Sequence, residues 1–210
     1  MRTQDGRHES KTRILDAALD VFRAKGYAAT RIEDICAEAG LTKGSFFHHF
    51  KSKEELAIEA AAHWGAYACA LFAAAPYQTL PDPVDRLLGY VDYRRSNMQG
   101  DLVQFTCFGG TLIQEVYLSH PEIRDACTAT FDRHGTGLAK DIAEAIDQYG
   151  SDGAWTPESL ALHIQAVIQG ALVLAKAKQD PEAGAQCLDH LRRYIEALFR
   201  AAGKQVACPL

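Results

Sequence analysis

The chain has 210 residues, 48% hydrophobic and 23% charged, which is ample for one or two buried cores and too apolar for a disordered protein. Its six cysteines (Cys36, Cys69, Cys107, Cys127, Cys187, Cys208) are scattered without a C-x-x-C pair, which argues against a disulfide framework. The net charge of −5 is unevenly divided: residues 1–53 hold ten Lys+Arg against seven Asp+Glu, and the remainder hold twelve against twenty.

Residues 1–9 are polar, lack the apolar segment of a signal peptide, and read as an N-terminal arm. Ser10 to Lys25 is expected to be an amphipathic helix with Ile14, Leu15, Ala18, Val21 and Phe22 on one stripe, stopped by Gly26. The next stretch, TRIEDICAEAGLTKGSFFHHFKSK (residues 30–53), reads as two short helices joined by a tight turn. Thr30 with Glu33 has the spacing of a reciprocal helix cap, and Ile32, Ile35, Cys36 and Ala39 recur at helical spacing before Gly40. Thr42 caps the second helix, which runs to about Phe50, and Ser52 with Glu55 opens a third.

A helix, a glycine turn and a second helix can place that second helix in the DNA major groove. Lys43 and Gly44 put a cation and an unobstructed backbone at its positive end, where phosphate is attracted. Ser45 and His48 offer groups for base edges or phosphates, whereas Phe46 and Phe50, four apart, read as core. Arg2 and Arg7 on the arm, and Lys11 and Arg13 on the first helix, are further candidates for phosphate. On spacing alone, a helical hairpin with a solvated basic face is an equal alternative.

The segment from Ile14 to Leu56 resembles the N-terminal domain of the TetR/AcrR family of bacterial transcriptional regulators. Gly26, Thr30, Ile35, Ala39, Gly40, Lys43, Gly44, Phe50, Lys53 and Leu56 all fall in register. The resemblance implies a dimeric DNA-binding protein, a repressor released from its operator by a small molecule. It places DNA contacts at Thr30 or Arg31, then Lys43, Gly44, Ser45, Phe47, His48, His49 and Lys53. Lys43, Gly44 and His48 would approach base edges; Thr30, His49 and Lys53 would meet phosphates. The family often has Tyr where this chain has Phe47, so the phosphate contact of that hydroxyl is missing.

From Lys53 a helix continues through Leu56, Trp64, Leu71 and Phe72 to Pro76, and a loop around Pro81 and Pro83 leads to a helix ending near Met98. Leu102 to Ser119 reads as one helical segment loosened by Gly109-Gly110, and Pro121 starts another that ends at Tyr149-Gly150. Thr156-Pro157 and Asp180-Pro181 open the last two helices. The expected fold is all-α, about nine helices, with a helix-turn-helix domain over residues 1–52 and a ligand-binding and dimerisation domain over 53–210. Two such domains would pair through the last two helices about a two-fold axis.

Candidates for lining an effector pocket are His63, Trp64, Tyr67, Tyr90, Tyr93, Arg94, Phe105, Cys107, Phe108, Thr111, Gln114, Glu115, His134, His163 and Gln169. Aromatic rings with a few polar groups are what small-molecule sites are built from, although each fits core packing or a solvated face as well. Cys107 is also a candidate thiol sensor of oxidants or electrophiles, but no neighbour in sequence is a Lys or Arg. Cys187 and His190 share a helix face without a second pair to complete a metal site, and no nucleophile–base constellation stands out. No enzymatic activity, metal or cofactor is therefore expected. Charged residues break every apolar run, so no membrane span and a cytoplasmic location are expected. The competing readings are a Cys107-based redox sensor and a helical interaction protein that ignores DNA.

Overall fold

The computed structural model describes residues 4–203, with side chains from His8 onward. Arg2, the side chain of Arg7, and Cys208 lie outside the described residues. Among those described there are ten α-helices, one 3-10 turn and no strand. The helices are α1 (Gln4–Lys25), α2 (Ile32–Glu38), α3 (Lys43–His49), α4 (Lys53–Ala73), α5 (Pro83–Ser96), α6 (Leu102–Phe105), α7 (Phe108–Val116), α8 (Pro121–Tyr149), α9 (Pro157–Lys178) and α10 (Pro181–Ala201). The all-α expectation holds, and most boundaries fall where the capping residues placed them. Thr42 accepts the Ser45 N–H, Asp82 those of Val84 and Asp85, Thr156 that of Ser159, and Asp180 that of Glu182.

Three differences have local causes. The first helix starts at Gln4, so residues 4–9 of the expected N-terminal arm continue α1. The segment expected to be one helix over 102–119 breaks at Thr106-Cys107, before the glycine pair, because the Cys107 sulfur caps a new helix by accepting the Gly110 N–H at 3.3 Å. A 3-10 turn (Pro76–Thr79) follows α4 and buries Tyr77.

The chain forms two compact units, whose boundaries fall inside α4 and α8. The first comprises residues 1–69 and 106–131. Its core joins Ile14, Ala18 and Phe22 of α1 with Ile35, Phe46, Phe50, Leu56, Phe108, Leu112 and Ile123, all fully buried or nearly so. The second comprises residues 70–105 and 132–210. There α10 packs on α9 and α5, with Leu188, Leu191, Ile195 and Phe199 meeting a core that includes Leu87, Val91, Ile164, Ile168 and Leu172.

Contrary to the expectation from charge spacing, α4 and α9 are each long and apolar enough to cross a membrane. Length and composition alone do not distinguish a span from a core helix, and α9 turns Leu160, Ile164, Ile168 and Leu172 into the second unit.

Candidate DNA-binding face

The recognition geometry begins with the two faces of α3. Phe46 is fully buried and Phe50, its C-cap, nearly so, their rings 5.6 Å apart. This anchoring costs roughly 3–5 kcal/mol to remove by truncation to Ala and fixes which side of a seven-residue helix faces outward. Lys43, Gly44, Phe47 and His48 are exposed and Ser45 half-exposed; Phe47 shows 56% of its surface. An open recess of about 930 Å³ lies against the start of α3, lined by Ser10, Gly40, Leu41, Thr42, Gly44, Ser45 and His48. The Thr42 and Ser45 hydroxyls, the Gly44 backbone and the His48 imidazole offer hydrogen-bonding groups there to an anion such as a backbone phosphate.

Lys43 lies on this face with an ion pair to Glu33 of α2, whose carboxyl it holds below the ordinary range. Both side chains are more than half exposed, so the pair is weak and readily exchanged for a phosphate. His49 is drawn inward, its Nε2 2.7 Å from the Ser10 hydroxyl of α1. Arg31 is exposed at the N-cap of α2.

Two residues expected at phosphates are used otherwise. Thr30 is 1% exposed and its hydroxyl donates to the Gly26 carbonyl at 2.6 Å, which closes the turn between α1 and α2. It does not cap α2; Asp34 does that work by accepting the Arg31 N–H at 2.9 Å. Lys53 donates to the carbonyls of Tyr27 at 2.8 Å and Thr30 at 2.9 Å, and its ammonium lies 4.2 Å from the Tyr27 ring centre. Burial lowers its pKa. Arg13 likewise donates to the Ala39 carbonyl at 2.6 Å, and Lys11 pairs with Glu59 at 2.5 Å. Those basic residues brace the head from behind.

The effector candidates divide between the units. In the first, His63 bonds Asp16 at 2.7 Å, Phe108 is core against Phe22, and Gln114 is exposed with its amide on the Gly110 carbonyl. Thr111 donates to the Cys107 carbonyl. Trp64 stacks on the buried guanidinium of Arg23 at 4.2 Å, and Tyr67 and Cys107 are both within electrostatic reach of that cation. Structure thus supplies the arginine near Cys107 that sequence adjacency lacked. Glu115 is spent on the α1–α2 turn, where it accepts the N–H groups of Tyr27 and Ala28.

In the second unit, Tyr90, Tyr93, Arg94 and His134 do come together, joined by Phe72 and Tyr77. His134 Nε2 is 2.7 Å from the Tyr90 hydroxyl, and burial, aided by the Arg94 charge, pushes its pKa down to about 4. Burial also raises Tyr77. Phe105 is half-buried and Gln169 half-buried on α9, whereas His163 is exposed against Tyr194 and belongs to the outer surface. Phe72 and Tyr77, which join this cluster, are not among the sequence candidates; Tyr77 sits on a single 3-10 turn with no periodicity to announce it. Among the described residues no cluster of three or more His, Cys, Asp or Glu could hold a metal ion.

A family model described as bacterial regulatory proteins, tetR family, matches residues 14–60, and one for the tetracyclin repressor-like C-terminal domain matches residues 83–191. An HTH-type transcriptional regulator of Mycobacterium bovis, Mb3439c, is 37% identical over 141 residues, 67% of this chain and 69% of that protein. The uncharacterised regulator YerO of Bacillus subtilis is 44% identical over 57 residues, 27% of this chain and 20% of that protein. A TetR transcriptional regulator from Chloroflexus aurantiacus superposes with a TM-score of 0.81 at 26% identity, covering 92% of this chain and 97% of that one. The matched residues include all of α2 and α3, and the chain is a member of the TetR family, a DNA-binding transcriptional regulator of the helix-turn-helix type.

Proposed function

We propose that this regulator is a repressor that reads operator DNA with two copies of α3 and releases it when a small molecule binds the helical part of the chain. Residues 1–52 supply the reading head and residues 53–210 the effector-binding and dimerisation part, working in the cytoplasm without catalysis. The observation that carries the reading is the exposed face of Lys43, Gly44, Ser45, Phe47 and His48 on a helix whose other face is locked by Phe46 and Phe50. Two heads at fixed separation are needed because half-sites lie one helical turn apart.

The second copy has a natural place. On α9, Leu162, Ala166, Gly170, Val173, Leu174 and Ala177 are exposed on a stripe without a charge, and Tyr194 of α10 is exposed beside His163. Leu162 alone leaves 69% of its surface uncovered. A soluble helix seldom offers water such a face, whereas two α9–α10 pairs about a two-fold axis would bury it. The effector reading rests on the aromatic cluster around Tyr90, Tyr93, Arg94 and His134.

The test uses a duplex selected from a random pool by the wild-type protein. With Lys43 taken as a phosphate contact and not as the base-edge contact expected from sequence, Lys43→Ala is expected to weaken binding to all duplexes alike and to reduce the slope of log K against log salt by about one. Wild-type binding without salt dependence, or an unchanged slope in the variant, overturns the assignment.

A further inference from the structure

The α1–α2 turn, residues 26–31, is held from two sides by opposite charges. Gly26 has φ 79°, a left-handed conformation, after which the N–H groups of Tyr27 and Ala28 point the same way. Two successive amides in that arrangement form a small anion-binding concavity. It is filled by the Glu115 carboxylate of α7: Tyr27 N–H donates to Oε2 at 2.6 Å and Ala28 N–H to Oε1 at 2.8 Å. A Cβ on Gly26 would lie 2.7 Å from that Oε2, so the glycine is needed for the approach as well as for the backbone angle. On the carbonyl side Lys53 takes the oxygens of Tyr27 and Thr30. Arg31, the last residue of the turn, is the N-cap of α2, and α2 packs on α3.

At its other end α7 packs on α1 and α8. Phe108 meets Phe22 of α1 edge to face, with ring centres 6.1 Å apart. At Gly109 an added Cβ would lie 3.4 Å from Phe131 and 3.5 Å from Cys127 of α8, in ordinary contact, so that any larger side chain there must press on α8. In chain order α7 is the first element of its unit after the excursion of residues 70–105 through the other.

We propose that Glu115 is the coupling residue of this regulator: its bidentate grip on the Tyr27 and Ala28 amides ties the reading head to α7, so that displacing α7 releases the turn. The inference rests on the DNA-binding reading above and assigns its regulation to one carboxylate. Two charge-assisted hydrogen bonds with fixed geometry are made or lost together, which gives the head two states in place of a continuum. Glu115 touches no DNA; it acts by positioning.

A double-mutant cycle tests this without an effector, using Gly109→Val as the displacement of α7 and the duplex selected by the wild-type protein as the probe. With Glu115 present, Gly109→Val is expected to weaken duplex binding about tenfold; in a Glu115→Ala background the same change is expected to cost less than about twofold. Amide exchange supplies a readout independent of DNA. Tyr27 and Ala28 should exchange at least about tenfold faster in Glu115→Ala and in Gly109→Val, with α9 amides unchanged. If Gly109→Val does not fold, the exchange of the Tyr27 and Ala28 amides in Glu115→Ala alone decides the grip. Effects on binding that multiply, or Tyr27 and Ala28 amides indifferent to Glu115, overturn the proposal. Failure of the wild-type protein to select any duplex overturns the DNA reading instead, and leaves the exchange experiment to decide the grip.

Discussion

His134 lets the nature of the aromatic cluster in the second unit be read from pH. Its ring sits 4.9 Å from Phe72 and 5.4 Å from Tyr90, with Nε2 on the Tyr90 hydroxyl, and its pKa is pushed down to about 4, first by burial and then by Arg94. In the unfolded chain an imidazole titrates near 6.5, so between roughly pH 6.5 and 4 the unfolded state binds a proton that the folded state refuses. Stability must therefore rise with pH across that window and fall as the solution is acidified. At about 1.4 kcal/mol per unit the full difference is about 3 kcal/mol, of which about 2 kcal/mol is lost between pH 7 and pH 4.5. Urea unfolding followed by Trp155, which packs edge-on against Phe199 in the same unit, measures it in a Trp64→Phe background. For a slope of about 2 kcal/mol per molar the midpoint should drop about 1 M more in the parent than in a His134→Phe variant, which carries no proton to gain. Carboxylates titrating in the same range are common to both proteins and cancel. Equal drops in the two proteins would mean that His134 is wet, and that the cluster is an open cleft and not a closed aromatic core.

Two further outcomes follow from where charges sit. Lys53→Met should destabilise the first unit by about 2 kcal/mol in thermal or urea melts, because two carbonyls lose a charged donor, yet leave the salt slope of duplex binding unchanged; a slope reduced by about one would return Lys53 to the phosphates. Leu174→Asp places a charge on the exposed apolar stripe of α9 and should convert the protein from two chains to one in sedimentation with helicity intact. A wild-type monomer, or a variant that stays dimeric, would place the partner surface elsewhere.

Much of the fold could be read in the sequence because the signals were local. Thr42, Asp82, Thr156 and Asp180 cap helices within three residues of themselves, and Pro83, Pro121, Pro157 and Pro181 each open one. The outward face of α3 was equally legible, since Phe46 and Phe50 could only point one way. What escaped was every role settled by a residue far along the chain. Lys43 and Lys53 look alike in sequence, but one faces water while the other faces two carbonyls 26 and 23 residues upstream. Glu115, a pocket candidate by its neighbours, reaches back 88 residues to Tyr27. The Thr30–Glu33 pair matched a capping pattern that Asp34 fulfils one residue later, because the closure of the turn by Thr30 shifts the helix start to Ile32.

The two lysines also explain why a short reading helix can be both rigid and available. A seven-residue helix has little stability of its own and must take its position from its surroundings. Here the apolar side is fixed by Phe46 and Phe50, and the turn before α2 is fixed by Lys53 and Glu115 acting on its carbonyls and amides respectively. Every strong interaction is therefore made on the inner side of the head. The outer side is left with Lys43 and its solvent-exposed partner Glu33, an interaction weak enough to surrender to a phosphate. Because the grip at the turn comes from residues outside α2 and α3, the outward face of α3 is left with that weak pair, which is what a reading helix needs if contact with DNA is not to cost it internal packing.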